Sequence, residues 1–192
     1  MMRWLLLALV LLPQPALAST IIALPEAALT SRADTIALAS VVRTDAVVSP
    51  GGRIVTRVTL QVVKALRGTR VGEVVVMELP GGRLPGLVAH TPGSPQLTPG
   101  DLVFGFFESH AEVRRPLGLS YGLLRVRQDG RGYRVFRETD GLTMLSPGGE
   151  PALPAVTTLR DVPLDDLVAR VTARLKELGV AIPDQKPGVV RP

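Results

Sequence analysis

No cysteine occurs anywhere in the 192 residues. That excludes disulfides, thiol catalysis, thiolate metal sites and lipid attachment at a cysteine. Aromatic residues are almost as scarce, with one Trp, two Tyr and four Phe. The single Trp is Trp4, so a domain formed by the later residues has no indole on which to stack a sugar or a base. Histidine is limited to His90 and His110, and their spacing from Asp101 and Glu108 fits no zinc pattern. Long hydrophobic runs are also missing. Trp4 to Leu12 is apolar without interruption but has only nine residues, whereas a membrane-spanning helix needs about 20. No later stretch is long and apolar enough to span.

What is present begins at that short run. Arg3 precedes it, Pro13 and Pro15 break it, and Ala16-Leu17-Ala18 is an A-x-A cleavage signature. This is the pattern of a secretory signal peptide over residues 1–18, cleaved after Ala18. The expectation is an exported protein, periplasmic or secreted, with no membrane span after cleavage. An export signal without disulfides suits a bacterial envelope. The formal charge of +5 is mostly arginine, which permits acidic partners without demanding them.

Strand signals dominate the next part of the chain. Residues 19–32 read as a lead-in with Pro25 and a short Ala-Ala-Leu stretch. Asp34 to Arg43 is rich in β-branched residues, and Ser49-Pro50-Gly51-Gly52 is a turn. Ile54 to Leu66 alternates, with Val58, Leu60 and Val62 on one face and Arg57, Thr59 and Gln61 on the other. Glu73 to Leu79 is a third strand. Residues 80–100 hold five prolines and five glycines, a density that predicts a long irregular connection, functional or mobile. Leu102 to Glu108 follows, with Leu102, Phe104 and Phe106 on one face and Gly105 on the other. Tyr121 to Arg127 and Gly132 to Arg137 flank an Asp129-Gly130 hairpin signal, and Leu142 to Leu145 forms a last short strand.

After Ser146 the pattern changes. Residues 147–160 read as a proline-rich linker, and 161–179 as a helix opened by Pro163, Asp165 and Asp166 and stopped by Gly179. Leu164, Leu167, Val168, Val171, Leu175 and Leu178 form one apolar stripe at helical period. Residues 180–192 read as a loose tail. The pattern predicts a mainly β fold, an antiparallel barrel or sandwich over residues 19–146 with one C-terminal amphipathic α-helix.

The strings ADTIALASVV, RIVTRVTLQVVKALRG, EVVVMELPGG and LTPGDLVFGFFE occur in that order over residues 33–108. This layout resembles uncharacterised bacterial exported proteins. It is also similar to the netrin-like domain, including that of the tissue inhibitors of metalloproteinases. The resemblance implies a small antiparallel OB-type (netrin-like) β-barrel with helices beside it. Those inhibitors act through an N-terminal cysteine, which this chain lacks, so the resemblance implies a fold and transfers no site residue.

Gly118-Leu119-Ser120-Tyr121-Gly122 matches G-x-S-x-G, but Leu123 to Arg127 after it reads as a strand, where a hydrolase elbow opens a helix. Gly51-Gly52-Arg53 and Gly81-Gly82-Arg83 read as turns, with an isolated anion nest as the alternative. The fullest hint is a run of arginines. Arg125, Arg127, Arg131, Arg134 and Arg137 fall on one expected hairpin, as candidate contacts for an anionic polymer, either glycan or nucleic acid. Glu138, Asp129 and Asp140 dilute that charge. No catalytic, cofactor or metal residue is assigned. The leading expectation is a non-enzymatic protein-binding or accessory domain whose partner is an envelope or secreted protein and whose contact loop is residues 80–100. The anionic-polymer binder is the alternative, and a serine hydrolase using Ser120 comes third.

Overall fold

A computed structural model describes residues 18–152 and 159–186. The elements are β1 (Ser19–Ile22), α1 (Glu26–Arg32), β2 (Thr35–Val48), β3 (Ile54–Arg67), β4 (Val74–Pro80), β5 (Gly82–Leu84), β6 (Leu87–Ala89), β7 (Leu102–His110) and β8 (Val113–Pro116). A single 3-10 turn (Leu119–Gly122) leads to β9 (Leu123–Asp129), β10 (Gly132–Arg137), β11 (Leu142–Leu145), β12 (Arg160–Pro163) and α2 (Leu164–Glu177). The protein is mainly β with a C-terminal helix, as its sequence pattern predicts. Residues 1–17 of the signal segment, 153–158 of the linker and 187–192 of the tail lie outside the described residues.

Two long strands organise the sheet. β2 and β3 pair antiparallel over most of their length, with register shifts near Ile36, Leu38 and Val41. Such bulges bend and twist a strand and let a sheet curl. β3 pairs with β4, β4 with β8 in parallel, β8 with β7, and β7 returns to β2. The ring therefore runs first, second, third, fifth, fourth strand and back to the first, an OB-type connectivity. It closes at one residue pair, Met77 with Arg114. The Arg115 guanidinium adds an ion pair to Glu78 at 2.6 Å across the same seam.

β7 has three partners. Its first half, Leu102 to Gly105, pairs with β9, while Phe107 to His110 pairs with β8. From β9 the sheet continues through β10 to β12, so it leaves the ring as a three-stranded extension. The two faces of β2 and β7 consequently serve two cores. Ala37, Ala39, Val41, Val103 and Phe107 point into the ring with Leu60 and Met77. Ile36, Leu38, Phe104 and Phe106 point the other way, towards Leu29 of α1 and Leu167, Val171 and Leu175 of α2. A strand buried on both faces needs apolar residues throughout, which is why Asp34 to Arg43 shows little alternation.

Gly105 faces the ring interior, and the Phe107 ring lies across it: a Cβ built there would sit 2.0 Å from Phe107 Cζ. The glycine leaves room for a side chain folded back from two residues on.

α2 packs on the face of the sheet extension that carries Leu124, Val126 and Val135, and it contributes nothing to the ring interior. It begins at Leu164, because Arg160–Pro163 is taken up by β12, paired with β10. Five residues of the expected stripe are buried, while Leu178, beyond the last turn, is 41 % exposed. The tail after Gly179 is anchored as far as the structure describes it. Val180 and Ile182 pack against the core, and the Gln185 side-chain amide donates to the Ala65 carbonyl at 2.6 Å. The lead-in contains a helix, α1, opened by Pro25 and Glu26 and closed by Arg32. Glu26 accepts from Arg170 of α2 at 2.9 Å. Among the described residues no helix is long and apolar enough to cross a membrane.

Candidate functional site

The connection over residues 80–100 is where the structure departs most from an irregular loop. It contains a β-hairpin, β5 against β6, with Leu84 opposite Leu87. Pro85 and Gly86 form its turn, and Gly86 has φ +74°. Pro followed by a glycine at positive φ is a turn signature, but three residues on each side are too few to show a period. Two glycines seat the hairpin. Gly81 has φ +90° and Gly82 φ +150°, and a Cβ on Gly82 would meet Thr56 Oγ1 at 2.8 Å. The Thr56 hydroxyl donates to the Gly81 carbonyl at 2.8 Å, and the Gly81 N–H donates to Ile54 O at 3.1 Å. With that N–H spent, the anion-nest reading of this glycine pair loses a donor.

Residues 91–101 form a strap held at several points. Ser19 donates to Pro92 O at 2.7 Å, the Ser120 N–H donates to Gly93 O at 3.3 Å, and the Gly100 N–H donates to Val41 O at 2.8 Å. Asp101 accepts from the Thr98 N–H and from Arg125, both at 2.8 Å. Arg125 also donates to Gln96 O, and Leu97 packs against the ring core.

Between hairpin and strap lies a cleft of about 260 Å³, floored by Thr44 and Thr56 and rimmed by Arg83, His90, Ser94 and Gln96. Leu87 and Val88 of the hairpin are 59 % and 61 % exposed; as consecutive strand residues they point to opposite faces, Val88 on the face of Arg83 and Leu87 on that of Leu84.

The five arginines divide between two faces and several acids. Arg134 lies opposite Arg127, and Phe136 opposite Arg125, so these four share the outward face of the extension. Arg125 binds Asp101 at 2.8 Å and Glu138 at 2.7 Å. Burial works to lower its pKa, but Glu138 and Asp101 outweigh it and raise the value. Arg134 is paired with Asp161. Arg127 stands 5.3 Å from the Phe136 ring centre and Arg131 lies within 3.6 Å of Asp129 and Asp161; these two side chains stay 65 % and 70 % exposed.

Arg137 is on the opposite face. It pairs with Leu124 in the register, is buried, and lies 4.0 Å over the Tyr121 ring. Burial lowers its pKa, against Tyr121 and Glu26, which raise it. Burial raises the Tyr121 pKa, against Arg137. Arg137 is therefore part of the core beneath α1, out of reach of a polymer on the outward face.

Ser120 sits in the 3-10 turn after Gly118 and Leu119, which have φ +67° and +59°, and β9 follows it, so the turn opens a strand. Its Oγ is buried with no hydrogen-bond partner among the described residues. His90 belongs to the cleft rim, and His110 is exposed at the end of β7. No three His, Asp or Glu side chains come together to hold a metal among the described residues.

Ring and helical layer define the class, an OB-type β-barrel whose sheet runs on past the ring to carry two helices. No family model, curated protein or solved structure matches the chain.

Proposed function

We propose that this protein is an exported, non-catalytic binding module of the bacterial envelope or secretome, and that it meets a protein partner through the β5–β6 hairpin. Export rests on Arg3, the apolar run and the Ala16-Leu17-Ala18 signature. The netrin-like strand and turn layout of residues 33–108 fits an exported domain. The observation that carries the contact reading is the pair Leu87 and Val88, adjacent and more than half exposed on a hairpin seated by Gly81, Gly82 and Thr56. Exposed apolar side chains on the two faces of one seated strand gain free energy by being covered, and the seat removes the ordering cost that a slack loop would carry.

The test places a photo-crosslinking residue at Leu87, and at Val74 as an equally exposed control on β4, in the cell of origin. A discrete adduct from position 87 alone, lost when Val88→Asp is added, is the expected result. No adduct, or the same adducts from both positions, refutes the contact. N-terminal sequencing of the exported protein should begin at Ser19.

A second reading, contact with an anionic polymer, rests on the exposure of Arg127 and Arg131. It predicts retention on heparin that falls steeply with salt and is lost in Arg127→Ala/Arg131→Ala. No retention at low salt refutes it.

A further inference from the structure

We infer that the cleft beneath the hairpin receives an acidic side chain from an extended polypeptide segment lying along β6. This rests on the hairpin being the contact surface, and it names the chemistry of the partner. β5 faces β2 and β3, while β6 pairs with β5 alone among the described residues. β6 is thus an outer edge, the element to which an extended segment adds by main-chain hydrogen bonds. Leu87 and Val88 on that edge suit apolar side chains in the added segment.

The charge comes from the cleft. Arg83 and His90 stand on its rim, and no carboxylate lines it. Neither side chain is engaged in an ion pair or hydrogen bond among the described residues, in contrast to Arg125 and Arg134 on the sheet extension. Thr44, Thr91 and Ser94 add hydroxyls that have no protein partner among those residues. At about 260 Å³ the space holds one side chain, below the roughly 300–1,000 Å³ of clefts built for whole small molecules. An acidic partner also matches the net positive charge, formally +5 for the full chain and still positive once Arg3 leaves with the signal segment.

The test uses the purified protein and three blocked, labelled nine-residue peptides of alternating Thr and Val, with Glu, Gln or Lys at the centre, followed by anisotropy at low salt. Exposed ion pairs are individually weak, so the Glu peptide should bind about two- to fivefold more tightly than the Gln peptide, with Lys weakest. Arg83→Gln/His90→Gln should erase the Glu–Gln difference and leave the thermal unfolding curve in place, because both side chains are exposed. Equal binding of Glu and Gln peptides, or no binding of any, overturns the inference. Full displacement of the Glu peptide by free glutamate at equal concentration also overturns it, since the cleft would then be a small-anion site. If crosslinking from position 87 persists while Glu and Gln peptides bind alike, the hairpin contact stands and only the acidic segment falls.

Discussion

Replacing Gly105 by alanine tests how the barrel interior is filled. The backbone at Gly105 is ordinary strand, so the substitution meets no conformational strain, only space. The new methyl would lie 2.0 Å from Phe107 Cζ and 2.3 Å from Cε2, where ordinary contact begins at 3.4 Å. The ring must withdraw by more than an ångström. Phe107 is 1 % exposed and surrounded by close-packed neighbours that have little room to yield. Overpacking of this kind costs about 1–3 kcal/mol, partly offset by roughly 0.5 kcal/mol because alanine is less costly than glycine in a strand. The expected loss is about 1–2 kcal/mol, or a few degrees in Tm. Phe107→Leu alone leaves a cavity and costs roughly 1 kcal/mol or more. Combined, the alanine methyl occupies space the shortened side chain vacates, so the two costs should not add, with a favourable coupling of about 1–2 kcal/mol. Urea unfolding followed by far-ultraviolet circular dichroism measures all four proteins; Trp4 is the only indole and lies in the segment expected to be cleaved. A Gly105→Ala loss under about 0.5 kcal/mol, or simple additivity, would show that Phe107 does not lie across Gly105.

Tyr121→Phe should cost about 1 kcal/mol at neutral pH, through the lost 2.7 Å bond to the Leu24 carbonyl. The Tyr121 pKa is raised above 10.0 by burial, so its contribution is complete below pH 10 and disappears as pH climbs through the folded value. Denaturant unfolding at pH 8, 10 and 11 should therefore show native stability falling faster than that of the Phe variant; parallel declines would contradict the burial argument. Arg137, lowered by burial, acts in the opposite sense in both proteins. Arg125→Ala removes the bonds to Asp101, Glu138 and Gln96 O and should cost about 1.5–3 kcal/mol. It should also speed hydrogen exchange at the Thr98 amide while leaving Leu60 protected, and unchanged exchange at Thr98 would show that the strap does not depend on Arg125. Gly82→Ala, at φ +150° and 2.8 Å from Thr56 Oγ1, should lift the hairpin and accelerate proteolysis within residues 82–89 with the circular dichroism spectrum preserved. Equal cleavage rates would mean that the glycine is not what seats it.

Short-range pattern carried the sequence reading a long way. Long segments repeat their polarity often enough to declare a period, and so Ile54 to Leu66, Leu102 to Glu108 and the stripe from Leu164 to Leu175 mark their own elements. Asp129-Gly130 likewise marks the hairpin whose second strand is Gly132–Arg137. Elements of three or four residues have no period to show: β8 and β12 exist because a longer neighbour offers an edge, while β1 pairs with the equally short β11 and β5 with β6, pairings that only the tertiary fold brings together. The seven-residue α1 had only a faint local trace in Pro25, Glu26 and Arg32, and its packing against α2 makes it a helix in place of a lead-in. The candidate site divides in the same way. Residues 80–100 stood out by their prolines and glycines, but their folding into a seated hairpin and a strap depends on Thr56, Val41 and Arg125, which lie far away in sequence.

The arginines show the limit most clearly. Their number and alternation are written in the chain, whereas the partners that neutralise them are set by tertiary register. Asp101 and Asp161 reach Arg125 and Arg134 across 24 and 27 positions, and the register of β10 turns Arg137 inward over Tyr121. A residue's charge is local, but its exposure and its partners are properties of the packed molecule. The sequence by itself therefore determined that this protein is a cysteine-free, mainly β chain closed by an amphipathic helix. Only the tertiary structure decided which of its charged and apolar groups are left to meet anything else.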